Sequence, residues 1–116
     1  MSALKTYKGS MLNLENYKGE SVIDYYFDIL EDDDSASDLT VYESITLSIF
    51  AKRGGTLIDL FDNNSGLTIA GNRVTWNASK ARMDQFQRSV YYHHMVGKRK
   101  TGGQEDVLFY GNSVMI

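Results

Sequence analysis

Within the stretch Gly66 to Val96, GLTIAGNRVTWNASKARMDQFQRSVYYHHMV, the apolar period changes twice, and no other feature constrains the fold as strongly. Leu67 and Ile69 alternate, Gly71-Asn72 reads as a turn, and Val74 and Trp76 alternate again. That is the two-residue period of a strand. Asn77 to Gln87 then carries Met83 and Phe86 three apart, with Asn77 placed to cap the open N–H groups of a first turn. From Ser89 to Val96 the chain returns to β-branched and aromatic residues. The pattern predicts one short helix over residues 77–87, plugged between two strands of a sheet protein. A single helix is too few for a doubly wound α/β sheet.

The flanking sequence reads as further strands. Ile23, Tyr25, Phe27 and Ile29 fall on one face of Ser21 to Leu30, and Ile45, Leu47 and Ile49 on one face of a later strand. Lys52-Arg53-Gly54-Gly55 and Asp62 to Gly66 are clusters of turn formers around a strand at Thr56 to Phe61. Gly97 to Gly103 closes a hairpin between Val90–Val96 and Val107–Ile116. Seven or eight short strands with one inserted helix favour an all-β sandwich. Its expected core is Ile23, Tyr25, Phe27, Ile29, Ile45, Leu47, Ile49, Leu67, Ile69, Val74, Trp76, Phe86 and Tyr92. Residues 1–9 read as an N-terminal arm, ordered against a neighbour rather than its own domain, and residues 10–116 as one domain.

Composition narrows the class. With 116 residues the chain suits one domain. It has no proline, so Gly, Asn and Asp must supply the turns. It has no cysteine, which excludes disulfides, thiolate nucleophiles and cysteine metal sites. No signal-peptide core and no 18-residue apolar run is present, so neither export by such a signal nor membrane spanning is expected. The triplets at Asn63 and Asn77 then read as chance matches to a glycosylation signal. Residues 1–44 hold ten acids and three bases, whereas residues 45–116 hold nine bases and five acids. Such a split predicts head-to-tail attraction between copies, and an acidic chain disfavours nucleic acid as a partner.

No constellation reads as chemistry. Asp24 and Asp28 on a strand would stand roughly 13 Å apart, beyond the separation of an acid–base pair. Glu31 to Asp38 lacks the spaced donors, central glycine and terminal glutamate of a calcium loop. His93 and His94, adjacent on a strand, point to opposite faces and cannot share a metal. No G-x-S-x-G elbow frames a serine. Trp76, Tyr91 and Tyr92 could form a carbohydrate platform, but Trp76 belongs with Val74 in the core. Lys98, Arg99 and Lys100 precede the Gly-Gly and a strand, the reverse of a phosphate-binding loop. They suit a polar contact with an acidic patch, or, as the alternative, the phosphate backbone of a nucleic acid. Lys5, Tyr7, Asp32, Asp33, Asp34, Lys98, Arg99 and Lys100 are the expected interface residues. Catalytic residues, cofactors and metals are not expected.

The order of elements resembles the immunoglobulin-like β-sandwich domains of bacteriophage tail and baseplate proteins, including the N-terminal domain of upper baseplate proteins. The residues that carry the likeness are Gly19 with Val22 to Leu30, the phrase Asp38-Leu39-Thr40, and Gly66-Leu67-Thr68-Ile69 with Arg73-Val74-Thr75-Trp76. Ala78 to Phe86, Val90 to Val96 and Leu108-Phe109-Tyr110-Gly111 complete it over residues 19–116. The sequence departs from the pattern at His93-His94, in the acidic loop and at Gln87-Arg88. The resemblance implies a non-catalytic virion part: a tail, neck or baseplate subunit assembled in the bacterial cytoplasm. Its partners would be other copies of itself and other virion structural proteins.

Overall fold

The structure is a computed structural model and describes residues 4–116. The strands are β1 (Leu4–Tyr7), β2 (Ser10–Met11), β3 (Leu14–Asn16), β4 (Val22–Leu30), β5 (Tyr42–Phe50), β6 (Leu57–Asp62), β7 (Leu67–Ala70), β8 (Arg73–Ala78), β9 (Val90–Arg99) and β10 (Glu105–Met115). A single α-helical turn, α1 (Lys80–Met83), lies between β8 and β9, and a 3₁₀ turn covers Leu39–Val41. A four-stranded sheet has the order β1-β4-β8-β7. A six-stranded sheet has the order β2-β10-β9-β5-β6, with β3 also paired to β10. The protein is thus mostly β, with two mixed sheets and one short helix.

The inward positions of both sheets form one core. Phe27 of the smaller sheet meets Phe109 of the larger with ring centroids 5.1 Å apart, and Trp76 meets Phe61 edge-on at 5.2 Å. Ring pairs tilted in this way add about 0.5–1.5 kcal/mol beyond the area they bury. Tyr25, Ile29, Ile45, Leu47, Ile49, Leu67 and Val74 are buried around them, and Ile69 is half-buried against the same cluster.

Two expected core residues lie elsewhere. Ile23 is 69% exposed. Val22 pairs with Ala78 and Tyr25 with Trp76, so three steps on β4 oppose two on β8. That is a β-bulge, and the extra residue reverses the faces on its N-terminal side. Tyr92 is only half-buried on the outer surface, while Tyr91, His93 and Met95 face inward. The cause is cross-strand register. Ile49 pairs with His93 and Leu47 with Met95, and directly paired residues share a face.

The helix is also shorter than its pattern predicts. β8 continues through Ala78, so Asn77 is a strand residue, and Ser79 is the cap, accepting from the Arg82 N–H at 3.3 Å. Arg82 ties the turn to edge strand β6: its guanidinium donates to both Asp59 oxygens and to the Leu60 carbonyl. Phe86 follows α1 and is fully buried, edge-on to Tyr91 at 5.2 Å rather than against Trp76 or Tyr92.

The N-terminal segment is not a free arm. Leu4 to Tyr7 runs parallel to Phe27 to Leu30 as β1, while residues 1–3 lie outside the described residues. The Lys8 N–H then bonds Leu30 in one sheet and the Gly9 N–H bonds Leu108 in the other. Gly9 makes this transfer at φ 83°, a left-handed conformation open to glycine at little cost. Local alternation could not signal the pairing, because β1 is four residues long and its partner lies about twenty residues on.

His93 fastens the next part of the segment. Its Nε2 lies 2.8 Å from the Leu12 carbonyl, which can only accept, so Nε2 carries the hydrogen. Nδ1 therefore accepts from the Ser113 hydroxyl at 2.6 Å. Gly111 makes room for this contact, since a β-carbon there would stand 2.5 Å from the Leu12 oxygen. Burial pushes the His93 pKa down to about 4, although the bond to Leu12 opposes that shift.

Phe86→Ala should cost about 3–5 kcal/mol, because it leaves a cavity under α1. Lys80→Ala on the exposed side should cost less than about 0.5 kcal/mol, and urea melts of both variants measure the contrast. His93 supplies a pH dependence whose sign is fixed. The unfolded chain binds a proton on this ring from about pH 6.5 downward, the folded chain only near pH 4. Its stabilisation is complete above pH 6.5 and is lost as pH falls toward 4, by up to about 3 kcal/mol. Urea midpoints measured across that window should fall in the wild type and fall markedly less in His93→Gln.

Candidate functional site

The residues weighed for chemistry are placed apart. His93 is buried and satisfied, and His94 lies on the opposite surface among Phe50, Tyr92 and Tyr110. Among the described residues no three His, Asp or Glu side chains are grouped so as to hold a metal ion. Trp76 is wholly buried and cannot offer a platform to a sugar. Asp28 is held by Arg73 through two hydrogen bonds of 2.8 and 3.1 Å. These bonds hold its carboxyl below the usual range, as an ion-pair partner rather than a general acid.

The charge split of the sequence does not produce a bipolar molecule. Glu31 and Asp32 share a groove of about 480 Å³ with Lys8, Arg99 and Asp106. Lys98 pairs with Glu43 at 3.2 Å, and Arg99 with Asp106 at 2.9 Å. Tyr42 donates to the same Asp106 oxygen at 2.8 Å, and that bond, followed by Arg99, lowers the Asp106 pKa. Burial, then Asp106, raises that of Tyr42. The acidic loop and the basic hairpin therefore lie beside each other on the same chain, and two of the hairpin's three cations are already matched by carboxylates. Lys100 stays exposed, as do Asp32 and Asp33. Tyr7 donates to Asp34, so these two expected interface residues bond each other.

The outer surfaces of the two sheets differ in kind. On the smaller sheet Asp28, Arg73 and Tyr26 form a closed polar set, with the guanidinium 4.9 Å from the Tyr26 ring. On the larger sheet Phe50, Tyr92 and His94 touch, with ring centroids 4.9–6.3 Å apart. Leu57, Leu60 and Val107 extend this surface and are 38–47% exposed. Beside the rings is a concavity of about 370 Å³ lined by Gly9, Arg53, Tyr92, His94, Val107 and Tyr110. Surface aromatic rings with an arginine at their edge are residue types enriched at protein contacts. Sequence reasoning missed this surface because it assigned Tyr92 to the core. The alternation of β9 held the information once its register with β5 was known.

Among the described residues no helix is long and apolar enough to cross a membrane. No protein-family model matches the sequence, and no curated protein is similar to it at a significant level. Among solved structures, the N-terminal domain of phage TP901-1 ORF48 shares its fold, with a TM-score of 0.56 and 10% sequence identity. The superposition covers 99% of this chain and 98% of that one.

Proposed function

We propose that the chain is a structural subunit of a bacteriophage virion, in its tail, neck or baseplate, and that it works through protein–protein contacts without catalysis. The observation that carries this reading is the end-to-end likeness to a phage domain, with nearly all of both chains covered. The two packed sheets are read as an immunoglobulin-like sandwich whose N-terminal strands add parallel pairs. The apolar outer surface of the larger sheet supports an assembly role, since it gives another protein something to cover. Partners are other copies of the chain and other virion proteins, with Lys5, Tyr7, Asp32, Asp33, Asp34, Lys98, Arg99 and Lys100 as polar contacts at the rim.

The rival reading is a nucleic-acid-binding or regulatory module built on Lys98, Arg99 and Lys100. Two of those three cations already face carboxylates at about 3 Å, which weakens it.

Mass spectrometry of purified phage particles should find the chain in stoichiometric amount, and its absence would remove the virion role. Replacing Lys98, Arg99 and Lys100 by alanine should leave particle incorporation nearly intact. The rival predicts instead tight nucleic-acid binding by the wild type, with a salt slope that falls by about 0.9 for each phosphate contact removed.

A further inference from the structure

Ile23 and Asp24 stand out together from the smaller sheet. Ile23 is more exposed than any other large hydrophobic residue described. Asp24 has φ 47°, a left-handed conformation in the middle of a strand, and the Asn77 side chain fixes it by accepting its N–H at 2.9 Å. A non-glycine residue held there is strained, and such strain clusters at binding sites. The bulge turns both side chains outward between buried Val22 and Tyr25. Among the described residues no ion pair engages Asp24.

A complementary surface exists on the same chain. The concavity beside Tyr92, His94, Val107 and Tyr110 is lined by three rings and one aliphatic side chain, with Gly9 and Arg53 completing it. At its edge Arg53 sits 5.9 Å from the Tyr92 ring, and among the described residues no carboxylate pairs with it. The knob is one branched aliphatic group beside one anion. The hole is a ring-lined recess beside one cation. The knob belongs to the smaller sheet and the recess to the outer surface of the larger, so a chain cannot fill its own.

We propose that the β4 bulge of one copy docks on the larger sheet of a second copy, with Ile23 in the Tyr92–His94–Tyr110 recess and Asp24 paired with Arg53. This rests on the reading of the chain as an assembling subunit and names the surfaces it would use. Knob and hole are different patches, so the contact is head to tail and propagates into a ring or an open stack rather than a closed twofold pair. The bulge acquires a purpose: without it Ile23 would lie in the core and Asp24 would not stand beside it.

The chain has no cysteine, so introduced thiols can pair only with each other. Asp24→Cys and Arg53→Cys chains, checked for the native circular dichroism spectrum, are mixed and joined with a short bis-maleimide. The mixed 24–53 dimer should exceed the proportion given by random pairing, since a paired Asp and Arg hold their β-carbons further apart than a disulfide allows but within reach of such a linker. Adding Ile23→Ser to the Asp24→Cys chain should return the products to random pairing. In sedimentation of cysteine-free protein, Ile23→Ser should move self-association to concentrations higher by about tenfold or more. Asp24→Asn, which tolerates the left-handed backbone, should move it by about two- to fivefold. Random pairing, or self-association indifferent to Ile23→Ser, overturns the contact. Random pairing by a chain that is nonetheless present in purified particles overturns the contact while leaving the virion role standing. Specific pairing by a chain absent from particles supports the contact and removes the virion role.

Discussion

The ring contacts between Phe27 and Phe109 and between Trp76 and Phe61 join the two sheets, and most other features follow from them. They fix which positions of β4, β6, β8 and β10 point inward. Away from the bulges in β4 and β10, the alternate positions are then committed to the outside. The surfaces available for contact are therefore a consequence of the core. The smaller sheet closes its outer polar groups on themselves through Asp28, Arg73 and Tyr26. The larger sheet leaves aromatic and aliphatic groups open.

The N-terminal segment shows how such a sandwich controls its edges. An uncovered strand edge offers unpaired N–H and C=O groups to any passing chain. β1 lines one margin of the smaller sheet, and β2 and β3 line β10 of the larger. Gly9 carries the chain between them, and His93 holds Leu12 in place from below. At the opposite margin Arg82 occupies the Leu60 carbonyl of β6. The outermost strands at the first margins are only two to four residues long, and short edges of this kind make contacts through sheet faces and protrusions more available than edge-to-edge pairing.

Electrostatics has a local rather than a global role. Residues 1–44 hold ten acids against three bases, which makes that part of the sequence strongly negative. Folding places Glu31 and Asp32 within one groove of Arg99 and Lys8, and Glu43 against Lys98. Over the Debye length of about 8 Å at physiological salt, such charges are felt mainly by one another. The polar ends are thus better suited to orienting a contact than to driving it, which leaves the driving force to apolar area.

Local sequence determined the elements whose signal is periodic. Ile45, Leu47 and Ile49 declared β5, Val74 and Trp76 declared β8, and Gly102-Gly103 declared the last hairpin, although β9 runs on through Gly97 to Arg99 before it turns, because a two-residue period and left-handed turn residues are properties of neighbouring side chains. The burial of Phe86 was legible for the same reason, although the helix before it shrank to one turn once β8 claimed Asn77. Only the tertiary structure decided the faces of Ile23 and Tyr92, the docking of β1 and the neutralisation of the basic hairpin. Each depends on a partner distant in sequence: Asn77 opposite the bulge, β5 beside β9, β4 beside β1, and Glu43 against Lys98. A one-residue shift in such a pairing reverses every side chain beyond it, and no local pattern contains that shift.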